Sequence, residues 1–218
     1  MKPYPMMLKI FLPVVVLLMV FGCKRSQDPM PEIQTTSESI NIDQLQHQFH
    51  GKYRLISAVS SSAVDVNMDG TASSNLLLEI PILDYNQNYQ FNIELRIYDK
   101  SALSPDPSYI LTQSWPEQYI WLDDKEWDGG QALSFNPSYS VSFVNQGASR
   151  SFEFSKDLKK LTVHPGQDEN PYRWTFPGSV EIDESGRLHV ANVRNFYTKG
   201  GVKKVTVTTV YERFTKAT

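Results

Sequence analysis

The chain has 218 residues, of which 40% are hydrophobic and 21% are charged, and its formal net charge is −3. These values exclude a wholly disordered chain, a polytopic membrane protein and a coiled coil. A pI of about 5.8 leaves no cationic surplus to displace counterions from phosphates, so we expect no nucleic-acid partner. The single cysteine excludes an internal disulfide and a cysteine-rich metal site.

The beginning of the chain has the pattern of a secretory signal. Lys2 and Lys9 supply positive charge, and residues 10–21 form an uncharged, mostly apolar stretch. This stretch is too short to cross about 30 Å of hydrocarbon as a helix, but it has the length of a signal-peptide hydrophobic region. Residues 1–22 are therefore predicted to be a signal peptide.

The apolar stretch ends in the segment Val20-Phe21-Gly22-Cys23. This segment resembles the lipobox of bacterial lipoproteins, in which a small residue precedes an obligatory cysteine. The resemblance implies cleavage before Cys23, diacylation of its sulfur and acylation of the new amino group, with palmitate among the attached chains. Several acyl chains make membrane attachment effectively permanent. An uncleaved anchor, or a simple signal peptide beside a chance cysteine, is the alternative.

The residue after the cysteine bears on the destination of the protein. In the sorting rule of Gram-negative lipoproteins, a residue other than aspartate at this position favours export to the outer membrane, and Lys24 stands there. Residues 23–41 are polar and rich in proline, serine, threonine and glutamine, which predicts a flexible linker. Residues 42–218 then form the folded domain, held at the cell envelope by its lipid anchor.

The folded domain begins with one short helix and continues as strands. Ile42, Leu45 and Phe49 share a helix face, with Asn41 as the N-cap and Gly51 just past the end. After the helix, apolar residues alternate with polar ones, which is typical of half-buried strands. The predicted strands lie near residues 53–55, 89–97, 139–143, 152–154, 161–163, 180–182, 188–190 and 205–211. Turn residues separate them at 69–70, 136–137, 145–147, 183–186 and 199–201.

Strands without intervening helices predict an all-β fold rather than a parallel α/β fold. About 165 residues with short connections suit an antiparallel up-and-down meander that closes into a barrel and so leaves no free sheet edge. A two-sheet β-sandwich is the alternative.

The ends of the predicted domain carry a further resemblance. A short helix that leads into His50-Gly51-Lys52-Tyr53, with Arg213 in the last strand, resembles the lipocalin-like domains of many Gram-negative lipoproteins. In lipocalins a Gly-x-Trp element opens the first strand, and an arginine of the last strand packs across the ring to close the base of the barrel. The resemblance implies that Gly51, Tyr53 and Arg213 hold these places, with tyrosine in place of tryptophan.

One loop matches the opening of a calcium-binding sequence. The oxygen-bearing side chains of Asp65, Asn67 and Asp69, with the carbonyl of Thr71, follow the spacing of the first half of an EF-hand-type loop. The carboxylate of Glu79 comes three residues later than that loop requires. The alternative is a plain turn between two strands.

Aromatic residues mark two candidate ligand-binding surfaces. Trp115 and Trp121 lead into the acidic segment 123–128, and such a mixture can hold a metal, a cationic ligand or the flat face of a sugar. Tyr172 and Trp174 begin an alternating aromatic stripe that can line a cavity. The alternative for both groups is ordinary packing in a strand or a core.

No catalytic signature accompanies these residues. His47 and His50 on the short helix lack a third zinc ligand, and the chain has neither a Gly-x-Ser-x-Gly elbow nor a phosphate-binding glycine loop. We therefore predict a non-enzymatic binding or accessory module with no cofactor other than the candidate calcium ion. Its ligand is predicted to be a small hydrophobic molecule in the barrel mouth. The alternative is a structural adaptor whose filled barrel binds envelope protein partners through its loops.

Overall fold

The computed structural model describes residues 41–83, 92–166, 170–173 and 176–218. The helices are α1 (Ile42–Phe49) and α2 (Leu76–Glu79), and Pro81–Leu83 form a 3-10 turn. The strands are β1 (Gly51–Val64), β2 (Ser73–Asn75), β3 (Asn92–Tyr98), β4 (Ser108–Leu122), β5 (Lys125–Glu126), β6 (Ser140–Phe154), β7 (Lys160–Val163), β8 (Pro177–Ile182), β9 (Leu188–Thr198) and β10 (Gly201–Thr215).

The strands form a closed antiparallel barrel. Eight of them follow one another around it in the order β1, β3, β4, β6, β7, β8, β9 and β10, and β10 pairs with β1 to close the ring. The short strands β2 and β5 pair with β1 and β4. The predicted up-and-down barrel is confirmed, and the sandwich alternative is wrong because the closing β10–β1 pair makes one continuous sheet.

Helix α1 forms where its sequence predicts. The side chain of Asn41 accepts hydrogen bonds from the backbone N–H groups of Asp43 and Gln44, which satisfies two donors that a helix start leaves without partners. Leu45 and Phe49 are buried in the main hydrophobic core. The helix therefore packs its apolar face onto one end of the barrel, which we call the base.

The residues of the lipocalin resemblance meet at this base. The buried Tyr53 lies directly opposite Arg213 in the β1–β10 ladder, and its hydroxyl donates to the Phe49 carbonyl at 2.7 Å. Arg213 Nη1 donates to the carbonyls of His47 and His50 at 3.1 and 3.4 Å. Arg213 therefore ties the last strand to the end of α1.

Gly51 is needed where the helix runs into β1. Its φ is +135°, and a Cβ at this position would overlap the carbonyl oxygen of Thr215 on β10. Only glycine adopts this backbone conformation without strain and allows so close an approach of the two strands.

One predicted turn is wrong. Residues 145–147 were expected to separate two strands, but β6 runs through them without interruption. They pair in unbroken register with residues 114–116 of β4. Since β4 supplies a partner along the whole length, the ladder hydrogen bonds outweigh the turn preference of Asn145 and Gly147.

The barrel wall is uneven in height. Strand β7 pairs with β6 only at residues 152–154, and β8 pairs with β9 only at residues 188–192. Strands β4, β6, β9 and β10 therefore extend beyond β7 and β8 at the end away from α1. A second hydrophobic cluster, formed by Ile120, Trp127 and Tyr197, stabilises this extension. None of the helices in the described part of the chain is both long and apolar enough to cross a bilayer.

Candidate functional site

The interior of the extended half of the barrel holds a buried ion pair. Arg194 on β9 donates through Nη1 to Glu117 Oε1 on β4 at 2.9 Å, and the two side chains are only 4% and 12% exposed. The Arg194 guanidinium also lies 4.0 Å from the centre of the Trp115 ring. The ion pair and the cation-π contact cross the barrel between strands that do not pair with each other.

Among the described residues, these side chains line only a small void. It has a volume of about 10 Å³, enough for one water molecule. It is lined by Gln113, Trp115, Glu117, Gln146, Ala148, Arg150 and Arg194. A small hydrophobic ligand does not fit among them, because ligand pockets for such molecules have volumes of about 300–1,000 Å³.

Two buried polar atoms in this region make no hydrogen bond to a described residue: Trp115 Nε1 and Arg194 Nε. Burial lowers the pKa of Arg194, although the Glu117 carboxylate opposes this effect. Burial also raises the pKa of Tyr211. The interior is thus polar as well as nearly full, and its chemistry suits one bound water better than an apolar guest.

A second buried arginine fixes a loop against the extension. Arg173 Nη2 contacts Glu126 Oε1 at 2.6 Å and donates to the Trp127 carbonyl, while Nη1 donates to the Gln118 carbonyl at 3.3 Å. Its guanidinium lies 4.0 Å from the centre of the Tyr119 ring. With only 7% of its side chain exposed, Arg173 anchors residues 170–173 against β4 and β5.

The neighbouring Tyr172 points to the surface. Its ring packs so closely on Gly130 that a Cβ on that glycine would overlap the ring. The Tyr172 side chain is nevertheless 47% exposed. Gly130 and Arg173 together therefore hold an exposed aromatic ring in a defined position.

Tyr172 forms one wall of an open groove of about 320 Å³, which we call the Tyr172 groove. Its lining residues are Asn170, Pro171, Tyr172, Phe176, Val193, Asn195 and Lys204. Phe176 and Val193 are 40% and 47% exposed. The groove therefore combines exposed apolar groups with amides and one ammonium group.

The amides of this groove are held in place. Asn195 Nδ2 donates to the Gly129 carbonyl at 2.9 Å, and Asn170 Nδ2 donates to the Asp128 carbonyl at 3.1 Å. Lys204 is exposed at the rim. An exposed apolar surface with a polar rim is the kind of surface that proteins use to contact one another.

The described aromatic residues of the two predicted ligand surfaces lie in different places. Trp115 lines the interior void, whereas Tyr172 lines the external groove, and Trp121 is 48% exposed and lines neither. Tyr172 lies in a turn and not in the expected alternating strand, because Arg173 holds this segment outside the sheet. Trp174 lies outside the described residues.

In the predicted calcium loop, one oxygen atom of each candidate side chain accepts a hydrogen bond from the loop's own backbone. Asp65 Oδ2 accepts from the Gly70 N–H at 3.1 Å, Asn67 Oδ1 from Asp69 at 2.9 Å and Asp69 Oδ1 from Thr71 at 2.7 Å. Within the described ranges, no three His, Cys, Asp or Glu side chains are close enough to hold a metal ion. These bonds account for the loop as a plain turn, and calcium binding stays a prediction.

The helix histidines also have structural partners. His50 Nδ1 accepts from the Ile97 N–H at 3.0 Å, and His50 Nε2 lies 3.3 Å from Thr218 Oγ1. The ring is thus engaged at the barrel base. Cys23, the predicted signal peptide and the predicted linker up to residue 40 lie outside the described residues.

Sequence reasoning missed the residues that define both regions. Side chains alternate between the two faces of a strand, and Glu117 lies on the same face of β4 as Trp115. Arg194 lies on the same inward face of β9 as Leu188 and Val190. Extending the two alternating patterns would therefore have placed both charges inside the barrel. No local pattern identifies Arg173 or Gly130, because their partners are brought together only by the fold. Comparison of the chain with family models, with curated proteins and with solved structures gave no match.

Proposed function

We propose that this chain is a lipid-anchored protein of the Gram-negative outer membrane whose lipocalin-like domain is a non-enzymatic adaptor for a partner protein. The observation that carries this proposal is the contrast, among the described residues, between an interior void of about 10 Å³ beside Arg194 and an external groove of about 320 Å³. Of the two binding roles that the sequence leaves open, the adaptor fits this contrast better than the carrier of a small hydrophobic ligand.

The lipocalin-like part of the proposal is supported at the base of the barrel. The closed meander, the helix α1 packed on one end and the meeting of Gly51, Tyr53 and Arg213 match what the resemblance implies. The anchoring part is supported by the sequence Gly22-Cys23 after an apolar stretch.

The chemistry of the Tyr172 groove indicates what the partner presents. Tyr172, Phe176 and Val193 offer apolar surface that an aliphatic or aromatic side chain buries on binding. Lys204 at the rim favours a carboxylate next to that side chain. The partner is thus an envelope protein that carries an acidic residue beside an apolar one in an exposed segment.

The groove is tested by site-specific photo-crosslinking in intact cells. Replacing Tyr172 with a photoreactive phenylalanine analogue should give a discrete crosslinked product, and Lys204→Glu should abolish this product because it reverses the rim charge. Tyr98 is a matched control, since it is a tyrosine with a similar exposure of 43% on β3, outside the groove. The same product from both positions would contradict the proposal.

A second experiment tests the alternative that the barrel carries a small hydrophobic ligand. Native mass spectrometry of the purified protein should give the mass of the polypeptide with its acyl groups and nothing more. A stoichiometric small molecule that copurifies with the wild-type chain would favour the ligand carrier over the adaptor.

The anchor is tested by replacing Cys23 with serine. We expect this change to abolish incorporation of labelled palmitate, because serine offers no thiol for the thioether bond. When a cleavable signal peptide replaces residues 1–22, the Cys23→Ser protein should leave the membrane fraction, whereas the wild-type chain with its own residues 1–22 and Cys23 should stay there. Retention of the serine variant in the membrane would refute acyl anchoring.

A further inference from the structure

Among the described residues, the outer side of β6 has no ladder partner along most of its length. One side of β6 pairs with β4 from residue 140 to residue 151, but the other side pairs with β7 only at residues 152–154. No described residue forms a ladder with this second side at residues 141–149, which we call the β6 edge. Within the described part of the closed barrel, β6 therefore still carries an unpaired strand edge above β7.

The ladder geometry identifies the backbone groups that face outward. The His164 N–H donates to the Ser151 carbonyl at 2.9 Å on the β7 side. Since the β6 register is unbroken and antiparallel ladders alternate, every second residue points its N–H and C=O to the same side as Ser151. These residues are Val141, Phe143, Asn145, Gly147 and Ser149.

The β6 edge lacks the features that prevent pairing between sheets. Protein edges are protected by lysine, by proline, by bulges or by a covering element. Residues 140–149 contain no charged residue and no proline, and the pairing with β4 has no register shift there. Asn145, Gly147 and Ser149 are exposed.

We propose that the β6 edge pairs with the β6 edge of a second copy of this chain, antiparallel, about a two-fold axis at Asn145. In this register Asn145 lies opposite Asn145 of the second copy. Phe143 then lies opposite Gly147 of the second copy, and Val141 lies opposite Ser149. All the outward backbone groups then find partners, with about ten hydrogen bonds between the two copies. The barrels join through one continuous sheet.

The side chains of the strand favour a second copy as the occupant. A two-fold interface places each residue opposite its symmetry mate in the register, so the surface must be complementary to itself. Here the Phe143 ring covers Gly147 of the second copy. An aromatic ring opposite a glycine compensates for the side-chain packing that the glycine lacks. On the other face of the joined sheet, Val144, which is 39% exposed, lies beside Gln146 of the second copy. No like charges meet across the axis, because residues 140–149 carry none.

This inference does not depend on the proposed adaptor function. The β6 edge shares no residue with the Tyr172 groove. Loss of the crosslink at Tyr172 would leave the dimer intact, and loss of the dimer would leave the groove intact.

The test is the oligomeric state of the full chain in a mild non-ionic detergent, measured by light scattering coupled to size-exclusion chromatography. We expect a dimer for the wild-type protein. Asn145→Lys should weaken the dimer at least about tenfold, because two ammonium groups meet at the axis. Asn145→Asp should do the same with two carboxylates. An equimolar mixture of the two variants should restore a dimer, since opposite charges then face each other.

A matched control adds the same charge elsewhere. Thr208 is exposed on β10, where the backbone pairs with both β9 and β1, so Thr208→Lys should leave the dimer unchanged. A monomeric wild-type protein would overturn the proposal, as would a dimer that survives Asn145→Lys. Dissociation by Thr208→Lys to the same extent would also overturn it, because net charge and not the β6 edge would then govern association.

Discussion

Replacing Arg194 with alanine should lower the free energy of unfolding by about 3–5 kcal/mol. The change leaves the Glu117 carboxylate buried without its cation and removes the guanidinium from the face of Trp115. Urea unfolding, followed by tryptophan fluorescence in the full chain carrying Cys23→Ser, measures this loss without the lipid anchor. A loss below about 1 kcal/mol would show that the ion pair is hydrated and contributes as little as a surface pair.

Two further variants separate the causes. Arg194→Lys keeps the positive charge but loses the planar guanidinium. Its free energy of unfolding should therefore lie between those of the wild type and Arg194→Ala. The double variant Arg194→Met, Glu117→Leu removes both charges and fills the space with apolar groups. Because burying two charges is itself costly, we expect the double variant to be more stable than Arg194→Ala. The reverse order would show that the destabilisation comes from lost packing and not from the stranded carboxylate.

Replacing Tyr53 with alanine should also cost about 3–5 kcal/mol, as for other large buried aromatic side chains. The ring is 0% exposed and lies between α1 and the closing β1–β10 pair. Tyr53→Phe removes only the hydroxyl that donates to the Phe49 carbonyl at 2.7 Å, and it should cost about 1 kcal/mol. Equal losses from both variants would mean that the hydrogen bond, and not the ring, stabilises the base.

The same residue predicts a pH dependence. Burial raises the pKa of Tyr53 from about 10 to about 12, although Arg213 partly offsets the effect. Because the folded state then holds this proton more tightly than the unfolded state, the Tyr53 contribution is complete below pH 10 and disappears as the pH rises toward 12. Urea unfolding across this range should show a smaller loss of stability for Tyr53→Phe than for wild type. The same loss for both proteins would assign the effect to other tyrosines.

Much of the fold follows from local patterns in the sequence. Period-two alternation predicted parts of seven of the eight barrel strands but missed β4, and the pattern of Ile42, Leu45 and Phe49 behind Asn41 predicted α1. These patterns are informative because each depends on a residue and its near neighbours. A turn preference predicts a turn only where no neighbouring strand offers ladder hydrogen bonds to the same residues. Residues 145–147 pair with β4, so the turn expected there does not form.

The contacts of the candidate site could not be predicted from local sequence patterns. Arg194 and Glu117 are 77 residues apart in the sequence, and Arg173 reaches carbonyls 46 and 55 residues away. Strand parity shows that a side chain faces inward, but it does not show which strand lies across the barrel. The Tyr172 groove likewise depends on the contact between Tyr172 and Gly130, which are distant in sequence and have no common periodicity.

The sequence by itself determined the strand alternation, the short helix with its cap, and the candidate lipidation site at Cys23, because each is encoded within a few neighbouring residues. Only the tertiary structure decided that the described interior side chains beside Arg194 leave little space, that Tyr172 lines an external groove and that residues 141–149 of β6 have no ladder partner among the described residues. These properties depend on strand lengths and on contacts across the barrel. Such contacts form between residues far apart in the chain, where local preference carries no information about the partner.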